Sequence, residues 1–419
     1  MRDYVKEIAE LLDAGERVIL YSVGGDTLNI LRALKQRFDR LPTALCDHDA
    51  RKQNQTFQGL YGMCVSSAQF IISEYPDAFW FISTLDYKFQ IIGELTDVMK
   101  ISPDKIINYE PVVKKRSCAY LEKSLVCDEH RQFSFCWYQP AELPAVAFSG
   151  SYKDSFERLF QLRDKTIDAY NQECGNCSFL CTDYYPVERK LRWINYGVGG
   201  VCNFDCMYCH SNARIAKSID YKTPKLPEIL AYLKEHDMLA EDYGINIAPG
   251  EPTVHPEKEQ LFGAMDCYSN VVNTNLAVFN EQLFRLTAEN FTKLVVSIDS
   301  GTPETFEKVK GRDYLGRVCE NLKRYSAAGF GVIVLKYVFI PGVNDNEKDV
   351  DGFAQICLET GCLIGNISYD YNAPLPIPER TVAMMKRLRD NFQRLHLLCT
   401  SNIVYSASDY VKELKKSVE

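Results

Sequence analysis

No run of about 18 apolar residues occurs anywhere in these 419 residues, so no segment is long enough to cross a membrane as a helix. An excess of positive charge is missing too. Lys and Arg number 48 against 56 Asp and Glu, a net charge of −8, which leaves no basic face for non-specific nucleic-acid binding. Internal repeats and low-complexity tracts are absent, so the chain reads as ordinary globular domains. The N-terminal segment is expected to be an amphipathic helix and not a signal peptide. MRDYVKEIAELLDAGERVIL is charged through its first turns, and Val5, Ile8, Leu11 and Leu12 fall at helical spacing, the pattern of an amphipathic helix. The expected location is the cytoplasm, where thiols stay reduced, with neither a membrane nor nucleic acid as partner.

What the chain has in quantity is cysteine, 16 residues of it. In a reducing compartment such a number points to metal ligands before disulfides. Hydrophobic residues make up 46%, enough for a sizeable core, and the length suits two or three domains. The spacing of strands and cysteines divides the chain at 1–115, 116–185 and 186–419.

The first segment alternates strand and helix. Val18–Tyr21 is an apolar strand followed by a turn at Gly24-Gly25 and a helix. LPTALCDHD holds a second strand ending in Asp47 and Asp49, Ala78–Thr84 a third and Asp104–Tyr109 a fourth. Alternation of this kind predicts a parallel sheet, here a Rossmann-like domain. An acid about 20 residues beyond a glycine turn is the arrangement that holds a ribose, although the full glycine fingerprint is missing. Nucleotide or nucleotide-sugar binding and a purely docking or assembly role both remain open. The layout resembles the N-terminal domain of sugar acyltransferases that modify nucleotide-linked sugars.

From Lys114 the character changes. Cys118, Cys127 and Cys136 fall in a small hairpin pattern, a helix is predicted over Tyr152–Tyr170, and ECGNCSFLC brings Cys174, Cys177 and Cys181. Apolar periodicity is scarce here, so a metal would supply the missing core. Cys127 lies in the apolar run SLVC and reads as a core residue. The remaining thiols suit either a zinc ribbon or an iron–sulfur cluster, since spacing alone does not separate the two.

From about Leu191 six strand–helix units follow: 191–196, 244–248, 271–275, 293–299, 332–339 and 363–369. Thr302 and Pro303 mark a helix start, and another helix is predicted over Asn346–Thr360. Six such units suggest a partial parallel (β/α)6 barrel, an α/β fold whose chemistry sits in loops at the C-terminal strand ends. In the first of those loops stands GGVCNFDCMYCHSNA, with Cys202, Cys206 and Cys209. Three thiolates bind three irons of a 4Fe–4S cube and leave the fourth iron open. A zinc knuckle completed by a distant ligand such as His210 is the competing reading.

Cys202-x-x-x-Cys206-x-Tyr208-Cys209 resembles the signature of the radical S-adenosylmethionine (SAM) enzymes. The resemblance extends over residues 190–400. Pro249-Gly250-Glu251-Pro252 is similar to the family's Gly-Gly-Glu motif, with Pro in place of the first Gly, and implies that Gly250 and Glu251 hold the methionyl ammonium. SIDSGTPETFEKVKG is similar to the ribose-binding segment and implies that Ser297 and Asp299 bind the ribose. Asn273 and Asn275 then reach SAM or substrate, Lys336 is a carboxylate partner or a lysine snorkelling to the surface, and Ile340 with Gly342 flanks adenine. The implied catalytic ligands are Cys202, Cys206 and Cys209, with Tyr208, the aromatic residue before the last cysteine, implied to bind the cofactor. The earlier cysteines resemble an abbreviated auxiliary-cluster domain, placed before the barrel instead of after it. Cys118, Cys136, Cys174 and Cys177 are its implied ligands to a second 4Fe–4S cluster, with Cys181 as the alternative to Cys118.

The sixth strand ends SYDYNAP, so Tyr369, Asp370, Tyr371 and Asn372 are candidates for a polar substrate, or an ordinary tyrosine-rich strand end. The resemblance implies an oxidoreductase or epimerase type of radical chemistry on a small molecule such as a nucleotide-linked sugar, with ferredoxin or flavodoxin as electron donor. A maturase of ribosomally made peptides and a non-catalytic iron–sulfur or zinc scaffold are the alternatives. Nothing in the sequence fixes the oligomeric state.

Overall fold

The computed structural model describes residues 2–128, 130–136, 145–169, 180–199, 201–209, 225–328, 331–370, 372–373 and 375–401. The chain forms two compact units. The first comprises Met1–Glu122 with Cys181–Arg189, the second Lys123–Leu180 with Lys190–Glu419. The segment 116–185 is therefore shared between the two instead of standing alone. Among the described residues the strands are β1 (Val18–Tyr21), β2 (Ala44–Cys46), β3 (Val65–Ser66), β4 (Phe79–Ile82), β5 (Val112–Cys118), β6 (Ser124–Cys127), β7 (Gln132–Ser134) and β8 (Val146–Ala147). They continue with β9 (Leu180–Pro186), β10 (Leu191–Tyr196), β11 (Leu239–Ile247), β12 (Ser269–Thr274), β13 (Thr292–Ser297), β14 (Val332–Phe339), β15 (Ile364–Tyr369) and β16 (Leu398–Ser401).

In the first unit a parallel sheet runs in the order β3-β2-β1-β4. All four residues of β1 are buried, as a strand covered on both faces requires. The turn after β1 departs from the nucleotide-site expectation. Asp47 is 1% exposed, and its carboxylate accepts from the Val23 N–H at 2.7 Å, the Asp49 N–H at 2.9 Å and Lys52 Nζ at 2.8 Å. This acid braces the Val23–Gly24 turn, and its oxygens are already used. Asp49 is held instead by Arg51. The expected strand at Asp104–Tyr109 is replaced by a tight turn, Pro103–Lys105, after which Ile106 makes a single bridge to Trp80. Proline at the start fixes φ for a turn, and too few residues follow to build a ladder. The fourth strand of the sheet is the two-residue β3, too short to leave a periodic signal. β5 pairs with β9 in a separate ribbon.

The second unit holds a ten-stranded sheet in the order β16-β15-β14-β13-β12-β11-β10-β6-β7-β8. β16 through β10 and then β6 run parallel, while β6-β7-β8 is antiparallel. The class is thus α/β with parallel sheets, and the parallel run contains eight strands where six were expected. All six anticipated strands are present, and β6 and β16 are the additions. Burial alternates along β13: Thr292, Leu294 and Val296 are buried, while Lys293, Val295 and Ser297 are half-buried. Cross-strand register puts Asn195 opposite Asn246, Ser297 opposite Lys336 and Lys336 opposite Asn366, so these polar residues share that more open face.

Helix boundaries follow the capping chemistry. Thr302 accepts the Thr305 N–H at 3.3 Å and Pro303 opens the helix Pro303–Lys310, which ends at Gly311 with φ 72°. Asn346 caps Glu347–Glu359 by accepting the Asp349 N–H at 3.0 Å.

Candidate active site

The cysteine loop leaves the C-terminal end of β10 and is fastened at both ends. At its start the Val198 N–H donates to the Pro249 carbonyl at 3.3 Å, and the Glu251 N–H donates back to the Val201 carbonyl at 2.8 Å. Further along, the Asp205 and Met207 N–H groups donate to the carbonyls of Lys310 and Val309, each at 3.0 Å. These are carbonyls at the end of a helix, which have no partner within it. Phe204 packs against Phe306 and Tyr314. Cys202 and Cys206 are half-buried and Cys209 is exposed. Burial pushes the Cys202 thiol up to about 11 and raises that of Cys206, against which the nearby Lys310 ammonium acts.

Among the described residues no three His, Cys, Asp or Glu side chains already converge on one metal position, the three loop cysteines included. The donor set nevertheless fits an iron–sulfur cluster. Three soft ligands lie on one short loop within electrostatic reach of one another, and metal binding itself gathers and deprotonates such ligands.

Gly250 has φ 101°, and a Cβ there would stand 2.4 Å from the Gly199 carbonyl oxygen. The cysteine loop and the strand-end motif thus meet where only glycine fits. Glu251 is 1% exposed. Its carboxylate accepts from the Thr253 N–H at 3.1 Å, the Thr253 hydroxyl at 2.5 Å, the Thr274 hydroxyl at 2.7 Å and the Asn275 N–H at 2.6 Å. Burial raises its pKa despite these donors. Glu251 therefore ties the ends of β11 and β12 together. The resemblance implied an acid open to the methionyl ammonium, and here its oxygens are spent on the protein.

Asp299 departs from its implied role in the same way. It is 0% exposed with φ 59°. One oxygen accepts the Val338 N–H at 2.7 Å, and the other accepts from the Tyr208 hydroxyl and from Lys310 Nζ. Lys310 Nζ also donates to the Tyr208 hydroxyl at 2.8 Å. A carboxylate enclosed in this way braces Tyr208 and does not face a ribose. Ser297, half-buried beside it, keeps the more open position. Sequence reasoning missed Lys310. The signal was there in a lysine just before the helix-ending glycine of FEKVKG, but lysines at helix ends are normally solvated. It also missed Asn344, whose side chain donates to the Asp299 and Val338 carbonyls at 2.8 Å each.

Asn275 donates to Asn203 at 2.7 Å and lies 3.8 Å from the Cys202 sulfur, joining β12 to the cysteine loop. Asn273 donates to Asn246 at 3.1 Å, and Asn246 to Asn195 at 3.0 Å, forming a ladder across three parallel strands. Lys336 is half-buried, and burial lowers its pKa. Ile340 is buried, its N–H taken by Asn344 Oδ1 at 2.7 Å.

At the end of β15, Tyr369 is 0% exposed and belongs to the core. Alternation along the strand sends it to the face opposite Ser368 and Asp370. Asp370 is 8% exposed and accepts the Asn372 N–H at 3.0 Å. Tyr371, Cys174 and Cys177 lie outside the described residues. Cys127 is fully buried in β6, as the apolar run predicts. Cys118 falls in the first unit and Cys136 in the second. Cys181 is not remote from Cys118: the Tyr185 hydroxyl lies 3.4 Å from the Cys181 sulfur, donates to the Ser117 carbonyl at 2.7 Å, and feels both thiols.

Residues 196–354 match the model of the Radical SAM superfamily. A probable GTP 3',8-cyclase of Methanosarcina acetivorans is 26% identical over 168 residues, which cover 39% of this chain and 50% of that protein. The GTP 3',8-cyclase of Nautilia profundicola is 28% identical over 167 residues, 38% of this chain and 51% of its own. The chain spans about half the length of the curated relatives it matches. Among solved structures, Streptococcus suis SuiB bound to S-adenosylmethionine is similar at 13% identity and a TM-score of 0.38, covering 51% of this chain and 47% of that one.

Proposed function

We propose that this chain, whose residues 196–354 match the Radical SAM superfamily model, is a radical SAM enzyme that uses a 4Fe–4S cluster and SAM and acts on a small polar substrate. The observation that carries the reading is the double fastening of the cysteine loop. It is stitched to Gly250–Glu251 at the end of β11 and to Asp299–Lys310 beyond β13, so three motifs distant in sequence share one strand-end site. Cys202, Cys206 and Cys209 would hold the cluster. When bound, it supplies the electron that cleaves SAM to methionine and a 5'-deoxyadenosyl radical, which takes a hydrogen atom from the substrate. The chain's own part is positional. Gly250 allows the loop to approach, Glu251 and Asn344 fix the strand ends, and Ser297 and Lys336 offer a hydroxyl and an ammonium on the open face. In this reading strands β10–β15 form the partial barrel, and the cysteine-rich segment carries a second cluster. The name of the curated relatives makes GTP the first substrate to try, ahead of nucleotide-linked sugars for oxidation or epimerisation. Ferredoxin or flavodoxin would supply the electron. No helix of the described residues is long and apolar enough to cross a membrane.

Anaerobically reconstituted protein given SAM and dithionite should release 5'-deoxyadenosine, faster with the true substrate. Two cubes correspond to about eight irons per chain, and changing Cys202, Cys206 and Cys209 together to Ala should leave about half of them and no 5'-deoxyadenosine. Wild-type protein that takes up only zinc would identify a scaffold instead. Acceleration by a peptide and not by nucleotides would identify a maturase.

Lys336 gives a second expected result. Lys336→Met removes an ammonium whose burial is unfavourable, so the variant should melt at or above the wild-type temperature. Because burial lowers the folded pKa, the unfolded chain binds more protons in the alkaline range. Wild-type stability therefore gains from this group as pH rises towards the unperturbed lysine value near 10.5, and the variant loses that gain. If the ammonium contacts the SAM carboxylate, calorimetry should show SAM affinity weakened by about tenfold, the scale of a charged hydrogen bond.

A further inference from the structure

The helix Pro303–Lys310 points its C-terminal end at the cysteine loop. That end carries partial negative charge, and the Val309 and Lys310 carbonyls lie within hydrogen-bond reach of the residues flanking Cys206. Taken alone, such a placement is electrostatically wrong for a loop that must gather thiolates. Asp299, a buried carboxylate on the same side, makes it worse. One group opposes both. Lys310 is 1% exposed, and its ammonium is fixed by the Asp299 carboxylate and the Tyr208 hydroxyl. Burial presses it towards the neutral form, but Asp299 and the Cys206 and Cys202 sulfurs outweigh burial and hold its pKa above the ordinary lysine value.

Mechanically, the contact is tight. Gly311, the residue after Lys310, lies close against the loop with φ 72°: a Cβ there would stand 3.1 Å from Asp205 Cβ and 3.2 Å from its carbonyl oxygen, tighter than ordinary contact. The backbone of Val309 and Lys310 is tied to the loop by the hydrogen bonds from Met207 and Asp205, and the Lys310 side chain separately by Asp299 and Tyr208. Tyr208 stands between Met207 and Cys209, so a group that fixes its hydroxyl also fixes the span between the second and third cysteines.

We propose that Lys310 is a positioning residue of the cysteine loop: wedged between Asp299 and Tyr208, it seats the Cys206–Cys209 span and supplies the positive charge that offsets Asp299 and the helix end beside an anionic iron–sulfur cluster. This rests on the reading of the three cysteines as cluster ligands. It makes the reduction potential of the bound cluster depend on a side chain that ligates neither iron nor SAM. Removing a nearby positive charge disfavours adding an electron, so the midpoint must move to more negative values.

The test is an EPR-monitored redox titration of reconstituted full-length protein without SAM, on wild type, Lys310→Met, Lys310→Arg and the double variant Lys310→Met/Asp299→Asn. The Met variant is expected to titrate at a more negative midpoint than wild type. The Arg variant should stay near wild type, and the double variant, which loses both charges, should recover most of the shift. A Met variant with the wild-type midpoint would overturn the proposal, as would an Arg variant shifted as far as Met. Should the single Met variant fail to fold or to take up iron, the double variant is compared with Asp299→Asn alone. A more negative midpoint in the double variant supports the proposal and an equal one overturns it. A wild-type protein that acquires no 4Fe–4S signal at all refutes the cluster reading, an outcome distinct from a wild-type cluster whose potential ignores Lys310.

Discussion

Gly250→Ala is expected to abolish SAM cleavage and to destabilise the second unit by roughly 2–4 kcal/mol, the sum of a strained left-handed conformation and a forced overlap in a packed site. The overlap cannot be relieved by a rotamer change. The added carbon would stand 2.4 Å from a backbone carbonyl oxygen, that of Gly199, and 2.7 Å from a Val198 methyl. Either the start of the cysteine loop or the Gly250 turn must move, and the hydrogen bonds Val198–Pro249 and Glu251–Val201 are the ones that break. Thermal melts report the stability loss, and iron content with 5'-deoxyadenosine formation reports the site. Retained cleavage in a stable Gly250→Ala protein would show that the loop is not held against this turn.

Asp299→Ala should have a second large effect, of a kind that the sequence alone would have assigned wrongly. If Asp299 were an exposed ribose ligand, its loss would weaken SAM and leave the melting curve unchanged. In the structure its removal strands the Lys310 ammonium in a buried position and frees the Val338 N–H. Breaking a buried pair by deleting one partner costs about 3–5 kcal/mol. The variant should therefore lose stability first, visible in denaturant melts, with SAM binding lost as a consequence. Asp299→Asn keeps one acceptor oxygen, enough for the Val338 N–H but not also for the Tyr208 hydroxyl and Lys310, and should lose less than the alanine variant. Ser297→Ala provides the contrast: weaker SAM binding, by about the 0.5–1.5 kcal/mol of one neutral hydrogen bond, on an unchanged melt.

What the sequence revealed, and what it hid, follows from the range of the interactions. β10 and β14 coincide with the apolar runs at 191–196 and 332–339, because strand burial is written in neighbouring residues. Thr302 is a helix cap as anticipated, since capping involves residues three positions apart, and the helix expected over Asn346–Thr360 runs Glu347–Glu359. The cysteine loop and Gly250–Glu251 were legible as motifs. Their fastening was not, because Tyr208 and Asp299 are 91 positions apart and Lys310 and Tyr208 are 102 apart. β6 read as a core hairpin strand, and nothing local shows that it pairs with β10 across more than sixty residues. Tyr369, read as either a substrate residue or an ordinary strand-end tyrosine, looks available until the register shows which face it occupies. Asp47 looked like a ribose acid for the same reason. Its position after the glycine turn was read correctly, but Lys52 and the Val23 N–H had already claimed it.

The chain passes from the first unit to the second between Glu122 and Lys123, returns for Cys181–Arg189, and leaves again at Lys190. No single cut in the gene therefore separates the two. A fragment ending at Glu122 would lack β9, the partner of β5, and would carry an unsatisfied strand edge. A fragment beginning at Lys123 would carry the β9 residues with no β5 to receive them. Exchange of either unit between relatives would require matched crossovers at all three junctions, so the pair is constrained to be inherited, and engineered, as one piece.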